Sequence, residues 1–162
     1  MTRTAVANIT LHVEKTVNAP LNRCLAPFRT TRGLARWWDP ASKLSGFRVG
    51  GTVTASDLPS FEIAAIVGRQ LIVHRFTSTI DGVAMWSFVP NTRTRTRVVL
   101  DHVAEGNRAD AAGRTFYWQG LIENLAAVAE KRPVPFVKGT FAGKTLPKGI
   151  RHRTMKEFVR AW

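Results

Sequence analysis

The chain has 162 residues, a hydrophobic share of 44% and a formal net charge of +13. That length can bury enough surface for one self-sufficient core, and no run approaches the ~20 apolar residues of a membrane-spanning helix, so the reading is of a protein with no transmembrane segment. Cys24 is the only cysteine, which excludes an intrachain disulfide and a multi-cysteine metal site; with no long apolar stretch after Met1, the composition predicts a cytoplasmic protein.

Between Ile9 and Val17 apolar and polar residues alternate. Ile9, Leu11, Val13 and Val17 share one side, and His12, Glu14 and Thr16 share the other, the pattern of a half-buried strand. Ala19-Pro20 ends it, and two short helices are predicted over about 20–28 and 30–38, divided near Thr30-Thr31. The second stops at Asp39-Pro40, just after the adjacent Trp37 and Trp38. Neighbouring helical residues point about 100° apart, so a helix end bearing both rings faces two surroundings, with one ring bracing the helix and the other facing the interior.

Strands are predicted next over about 43–49, 52–57, 61–67, 71–77, 82–89 and 95–104, joined by turns at Gly50-Gly51, Asp81-Gly82 and Pro90-Asn91. A long helix follows over about 110–131. Its Trp118, Leu121, Ile122, Leu125, Val128 and Ala129 are spaced as a single apolar face. Pro133 and Pro135 end it, and residues 133–153 read as extended chain with little regular structure. Met155, Phe158, Val159 and Trp162 have the spacing of a short amphipathic helix over 155–162. Residues 131–162 carry nine Lys/Arg against Glu157 alone, a net +8, so most of the basic excess belongs to a tail.

The element order predicts an α+β fold in which a curved antiparallel sheet wraps around the long C-terminal helix, with two short helices after the first strand. The domain occupies 1–131 and the basic tail 132–162. The chain carries a series of signposts: Val17-Asn18-Ala19-Pro20, Gly33-Leu34-Ala35-Arg36-Trp37-Trp38, Phe47-Arg48-Val49-Gly50-Gly51, Phe61-Glu62-Ile63, Thr96-Arg97-Val98 leading to His102, and Trp118 followed by Leu121 and Leu125. In these it resembles the SRPBCC (START-like, helix-grip) superfamily, and within it proteins homologous to the activator of the heat-shock-protein-90 ATPase. The signposts occur in the family's order over about 9–130. The resemblance departs at Leu25, where a large aromatic is usual, and at Tyr117-Trp118, which replaces a Gly-Trp pair. It implies the helix-grip fold and a tendency to bind apolar small molecules, and it implies no single reaction.

Strand alternation names the walls of a candidate cavity. Ile72, His74 and Phe76 share one face of their strand, Ala84, Trp86 and Phe88 another, and Val98, Leu100 and His102 a third. Phe47, Val49, Phe61, Ile63, Trp37 and Trp38 extend the wall, while Trp118, Leu121 and Leu125 form the lid. These aromatics either fill a core or enclose a small apolar ligand of lipid or polyketide type. Arg114, one turn before Trp118, either pairs with a ligand anion at the cavity mouth or snorkels at the surface. His74 and His102 are either hydrogen-bonded core residues or proton carriers of a cyclase or dehydratase.

Two strands apart and with no third ligand on offer, the two histidines do not make a zinc site, and no metal or cofactor is predicted. Asp101 and His102 point to opposite faces and form no catalytic pair. For residues 132–162 three roles stay open: docking on the domain, binding an acidic protein, or contact with nucleic acid or anionic membrane. No nucleic-acid-binding motif is present, so sequence-specific recognition is not expected.

Overall fold

The computed structural model describes residues 8–56, 58–77, 82–106, 108–137 and 140–141; the side chains of 108–110, 136, 137, 140 and 141 fall outside that description. Strand β1 (Asn8–Val17) leads through Pro20 into helix α1 (Leu21–Leu25) and a 3-10 turn (Ala26–Phe28), and then into helix α2 (Thr31–Trp37). Six strands follow: β2 (Lys43–Leu44), β3 (Thr52–Thr54), β4 (Phe61–Val67), β5 (Leu71–Phe76), β6 (Val83–Thr92) and β7 (Arg95–Glu105). Helix α3 spans Arg108–Ala129.

All seven strands form one antiparallel sheet in the order β1-β7-β6-β5-β4-β3-β2. From β2 to β7 every strand pairs with its neighbour in sequence, and only β1 crosses the fold, to lie beside β7. Register shifts at Ile63/Ala65 and Pro90/Thr92 are irregularities of the kind that bend a sheet. The sheet wraps around α3, which packs on β1 and also on α1, α2 and the 3-10 turn.

The break between the short helices has a local cause. Thr30 is extended, and its Oγ1 accepts the Gly33 N–H at 2.9 Å as an N-cap, worth about 1 kcal/mol. Gly33 lets α2 lie directly on the 3-10 turn. A Cβ there would stand 2.8 Å from both Pro27 Cα and Pro27 O. Trp37 reinforces the same junction by donating its Nε1–H to Pro27 O at 3.0 Å.

Several sequence expectations are corrected. The strand predicted over 43–49 is only Lys43–Leu44, because Ser45–Gly51 turns back on itself with Gly50 at φ +87°. Gly50 N–H donates to Ile63 O, and Gly51 O accepts from Ile63 N–H, so the loop still joins the sheet edge. Val49 is 62% exposed and adds nothing to the interior. Helix α3 has more than a single apolar face. Phe116, Tyr117 and Trp118 are consecutive and all buried, since the short helices cover the side that the sheet does not. Within the stretch read as irregular, β8 (Phe136–Val137) pairs with β9 (Thr140–Phe141). The predicted helix 155–162 lies outside the described residues.

Asp39 does more than stop a helix. It is buried, its Oδ1 accepts from Ala41 N–H at 2.8 Å, and its Oδ2 accepts from Ser56 N–H at 3.1 Å and Leu58 N–H at 2.9 Å. The carboxylate thus ties the exit of α2 to the loop between β3 and β4. We expect Asp39→Ala to strand these donors and lower unfolding free energy by about 2–3 kcal/mol in urea titrations. Gly33→Ala, which must push α2 off Pro27, should cost about 1–3 kcal/mol in the same assay.

Candidate functional site

The inward faces of β5, β6 and β7 are those read from alternation. His74 pairs with Ala84, and Ala84 in turn with His102, so one strand separates the two histidines in the sheet. Their faces bury Ile72, His74, Phe76, Ala84, Trp86, Phe88, Val98, Leu100 and His102. Opposite them, α3 presents Trp118, Leu121 and Leu125, each at most 1% exposed.

The two adjacent tryptophans divide their labour. Trp37 is the brace, held to Pro27. Trp38 caps α2, where the backbone leaves the helical region, and its ring turns into the space between sheet and α3. There it stacks on Trp118 at 5.7 Å and on Phe76 at 6.2 Å, and it meets Phe61 edge-on at 5.7 Å. Trp118 also contacts Trp86 edge to face at 5.7 Å. Phe28, from the 3-10 turn, touches Trp37, Trp86, Phe88 and His74. It was not among the residues singled out from sequence, because a lone aromatic in a turn carries no periodic signal.

Two histidines share the interior but differ in chemistry. His102 accepts the Trp118 Nε1–H at its Nδ1, 2.9 Å away, which assigns its remaining proton to Nε2 in the neutral ring. His74 lies flat against Phe61, with ring centroids 4.0 Å apart, and neither of its nitrogens has a hydrogen-bond partner among the described residues. Burial alone pushes its pKa down from 6.5 to about 3. Two further groups in the same space are unpartnered among the described residues: the buried indole N–H groups of Trp38 and Trp86. Trp38 and His74 both contact Phe61, and Trp86 and His74 both contact Phe28, so the three groups lie around the same two rings.

The remaining sequence candidates are placed differently. Arg114 is buried rather than snorkelling, and its Nη1 donates to Glu105 O at the end of β7, 2.8 Å away. Phe47 sits at the margin of the core, partly buried beneath the Arg29 guanidinium at 5.9 Å. A carboxylate–imidazole pair does exist, but on the outer face. His12 bonds Asp101 Oδ1 at 2.7 Å and Glu14 Oε2 at 3.1 Å. The Asp101 bond and then the Glu14 bond raise the His12 pKa. Only strand pairing could reveal this trio, since His12 and Asp101 are 89 positions apart.

Among the described residues no group of three or more His, Cys, Asp or Glu could hold a metal ion, and no helix is long and apolar enough to cross a membrane.

The His74 pKa sets a pH dependence. Between about pH 6.5 and 3 the unfolded chain binds a proton at this residue that the folded chain refuses, so stability falls as pH falls. The slope from this group reaches about 1.4 kcal/mol per pH unit at most. His74→Phe should therefore flatten the decline of urea stability between pH 6 and 4. An unchanged slope would show that the ring is not buried as described.

No protein-family model and no curated protein sequence matches the chain. Solved structures do. A conserved protein of unknown function from Enterococcus faecalis superposes with a TM-score of 0.64 at 13% identity, over 94% of this chain and 81% of that one. The Aha1 dimer from Colwellia psychrerythraea is similar at a TM-score of 0.63 and 17% identity, over 75% and 96%. DynU16, a protein in the dynemicin biosynthetic locus, is similar at a TM-score of 0.61 and 18% identity, over 77% of this chain and 49% of that one. At these identities the likeness is one of fold. With the strand order, the two short helices after β1 and the gripped α3 all in place, the chain has the α+β helix-grip fold.

Proposed function

We propose that this protein binds a small hydrophobic ligand carrying at least one hydrogen-bond acceptor, in the space between the sheet and α3. The observation behind it is the pair of buried, unpartnered indole N–H groups, Trp38 and Trp86, beside an unpartnered His74. Leaving a buried donor unsatisfied costs about 1–3 kcal/mol, and an acceptor placed between these rings recovers it. The surroundings are aromatic, as an apolar ligand requires, and a few convergent polar groups supply orientation. The rings already touch one another, so a ligand replaces ring–ring contacts, with Trp38 turning off Trp118 as α2 gives way. Lipid and polyketide-like aromatics, the ligand classes that the sequence resemblance implies, are the first to test.

Binding is favoured over cyclase or dehydratase catalysis by the state of the histidines. A general base works best with a pKa near the working pH. His74, at about 3, is a weak base. His102 already spends its Nδ1 lone pair on Trp118. Both are better suited to hold a ligand than to move its protons.

Titrating intrinsic tryptophan fluorescence with long-chain fatty acids and with multi-ring aromatic ketones tests the proposal. Saturable binding should weaken about 5–30-fold in Trp38→Phe and Trp86→Phe, which keep the ring and lose the donor. Affinities equal to those of the unaltered protein, or no binding by either compound class, would overturn it.

A second reading rests on the net +8 of residues 131–162 and the fold likeness to Aha1, namely a protein-binding module whose tail engages an acidic surface. Removing residues 133–162 should then abolish binding to polyglutamate that is itself lost at high salt. Undiminished binding by the shortened chain would count against it.

A further inference from the structure

On the outer side of the 3-10 turn, away from the aromatic interior, α1, α2 and the end of α3 enclose a groove of about 280 Å³. Arg23, Arg32, Arg36 and Lys131 line it, and no acidic residue does. Arg32 and Arg36 are one turn apart on the same short helix, a like-charge spacing that by itself weakens a helix.

Structural duties account for Arg23 but not for Arg32, Arg36 or Lys131. The negative end of α3 attracts cations, but all four of its last carbonyls already have donors. Ala126 O accepts from Glu130 N–H, Ala127 O from Arg132 N–H, Val128 O from Lys131 N–H and Ala129 O from the Arg23 guanidinium. The nearest carboxylate in sequence, Glu130, is bonded to Arg132 at 2.8 Å. Arg32, Arg36 and the Lys131 ammonium have no hydrogen-bond or ion-pair partner among the described residues. Thr30 Oγ1 accepts from Gly33 N–H, which leaves its hydroxyl hydrogen free to donate into the groove.

We propose that this groove is a binding site for a small oxyanion of two or more charges, with a phosphate or pyrophosphate group as the fitting chemistry. Two guanidinium forks can each take two oxygens of such a group, Lys131 adds a point charge, and the Thr30 hydroxyl donates to a further oxygen. A concave site lined by one sign of charge also concentrates the anion before contact. The groove is separated from the Trp38–Trp86 space by the turn Ala26–Phe28, so this site stands whether or not the interior holds an apolar ligand.

The test must separate the groove from the general basicity of the chain. Calorimetric titration of the full chain with pyrophosphate at 150 mM salt should show one saturable site. Arg32→Ala/Arg36→Ala should weaken it at least tenfold, while Arg93→Ala/Arg95→Ala, an equal charge loss on the exposed β6–β7 hairpin, should leave it within twofold. Cosedimentation with phosphatidic acid vesicles, using the same two double variants, distinguishes the source. Vesicle binding that needs Arg32 and Arg36 assigns the groove to a phosphate headgroup, and pyrophosphate binding alone assigns it to a soluble phosphate. Equal losses in both double variants, or no binding of either probe, would overturn the proposal.

Discussion

Everything in this fold converges on the contact between α3 and the sheet at Trp118. Its indole N–H is given to His102 Nδ1 on β7, and its ring lies against Trp38 from α2, Phe76 from β5 and Trp86 from β6. One side chain thus joins the helix to three strands and to the second short helix. A hydrogen bond here matters beyond its modest net worth, because it selects which way a large aromatic points in an otherwise non-directional apolar space. With Trp118 held, Trp38 has a flat partner, and the end of α2 is pinned over the concave face.

The same arrangement explains why polar groups inside the domain fall into two kinds. Thr96 donates to Ala19 O, Trp37 to Pro27 O and Trp118 to His102, and each of these bonds fastens one element to another. The polar atoms of Trp38, Trp86 and His74 bond nothing among the described residues. They gather around Phe28 and Phe61, and the Trp38 and Trp86 rings lie directly against Trp37 and Trp118, which make two of the fastening bonds. The bonds that hold the elements together and the unbonded polar atoms are therefore neighbouring but distinct sets.

Charge is distributed by face. On the outer side of β1 and β7, His12, Glu14, Asp101 and Arg97 pair across strands in solvent, where each contact is worth little. Lys15, on the inward side of the edge strand, reaches Glu123 of α3 at 2.9 Å and closes the open margin between sheet and helix. The groove beside Arg32 and Arg36 differs from both, being cationic without a matching carboxylate.

Much of this was legible in the sequence because it is periodic. Alternation placed Ile72, His74 and Phe76 on one face with Ala84–Phe88 and Val98–His102, and the wide spacing of apolar residues marked α3 as the element to be gripped. The composition alone determined that no disulfide or cysteine cluster could stabilise the chain. What periodicity could not supply was contact between distant segments. That Asp39 anchors the β3–β4 loop, that His12 rather than His102 partners Asp101, that Arg114 turns inward to Glu105 and that Arg32, Arg36 and Lys131 share one groove are decided by how the strands pair and how the short helices lie on α3. The physical reason is range. Turn chemistry and side-chain alternation act over a few residues, whereas hydrogen-bond satisfaction and packing act between atoms that only the folded chain brings together.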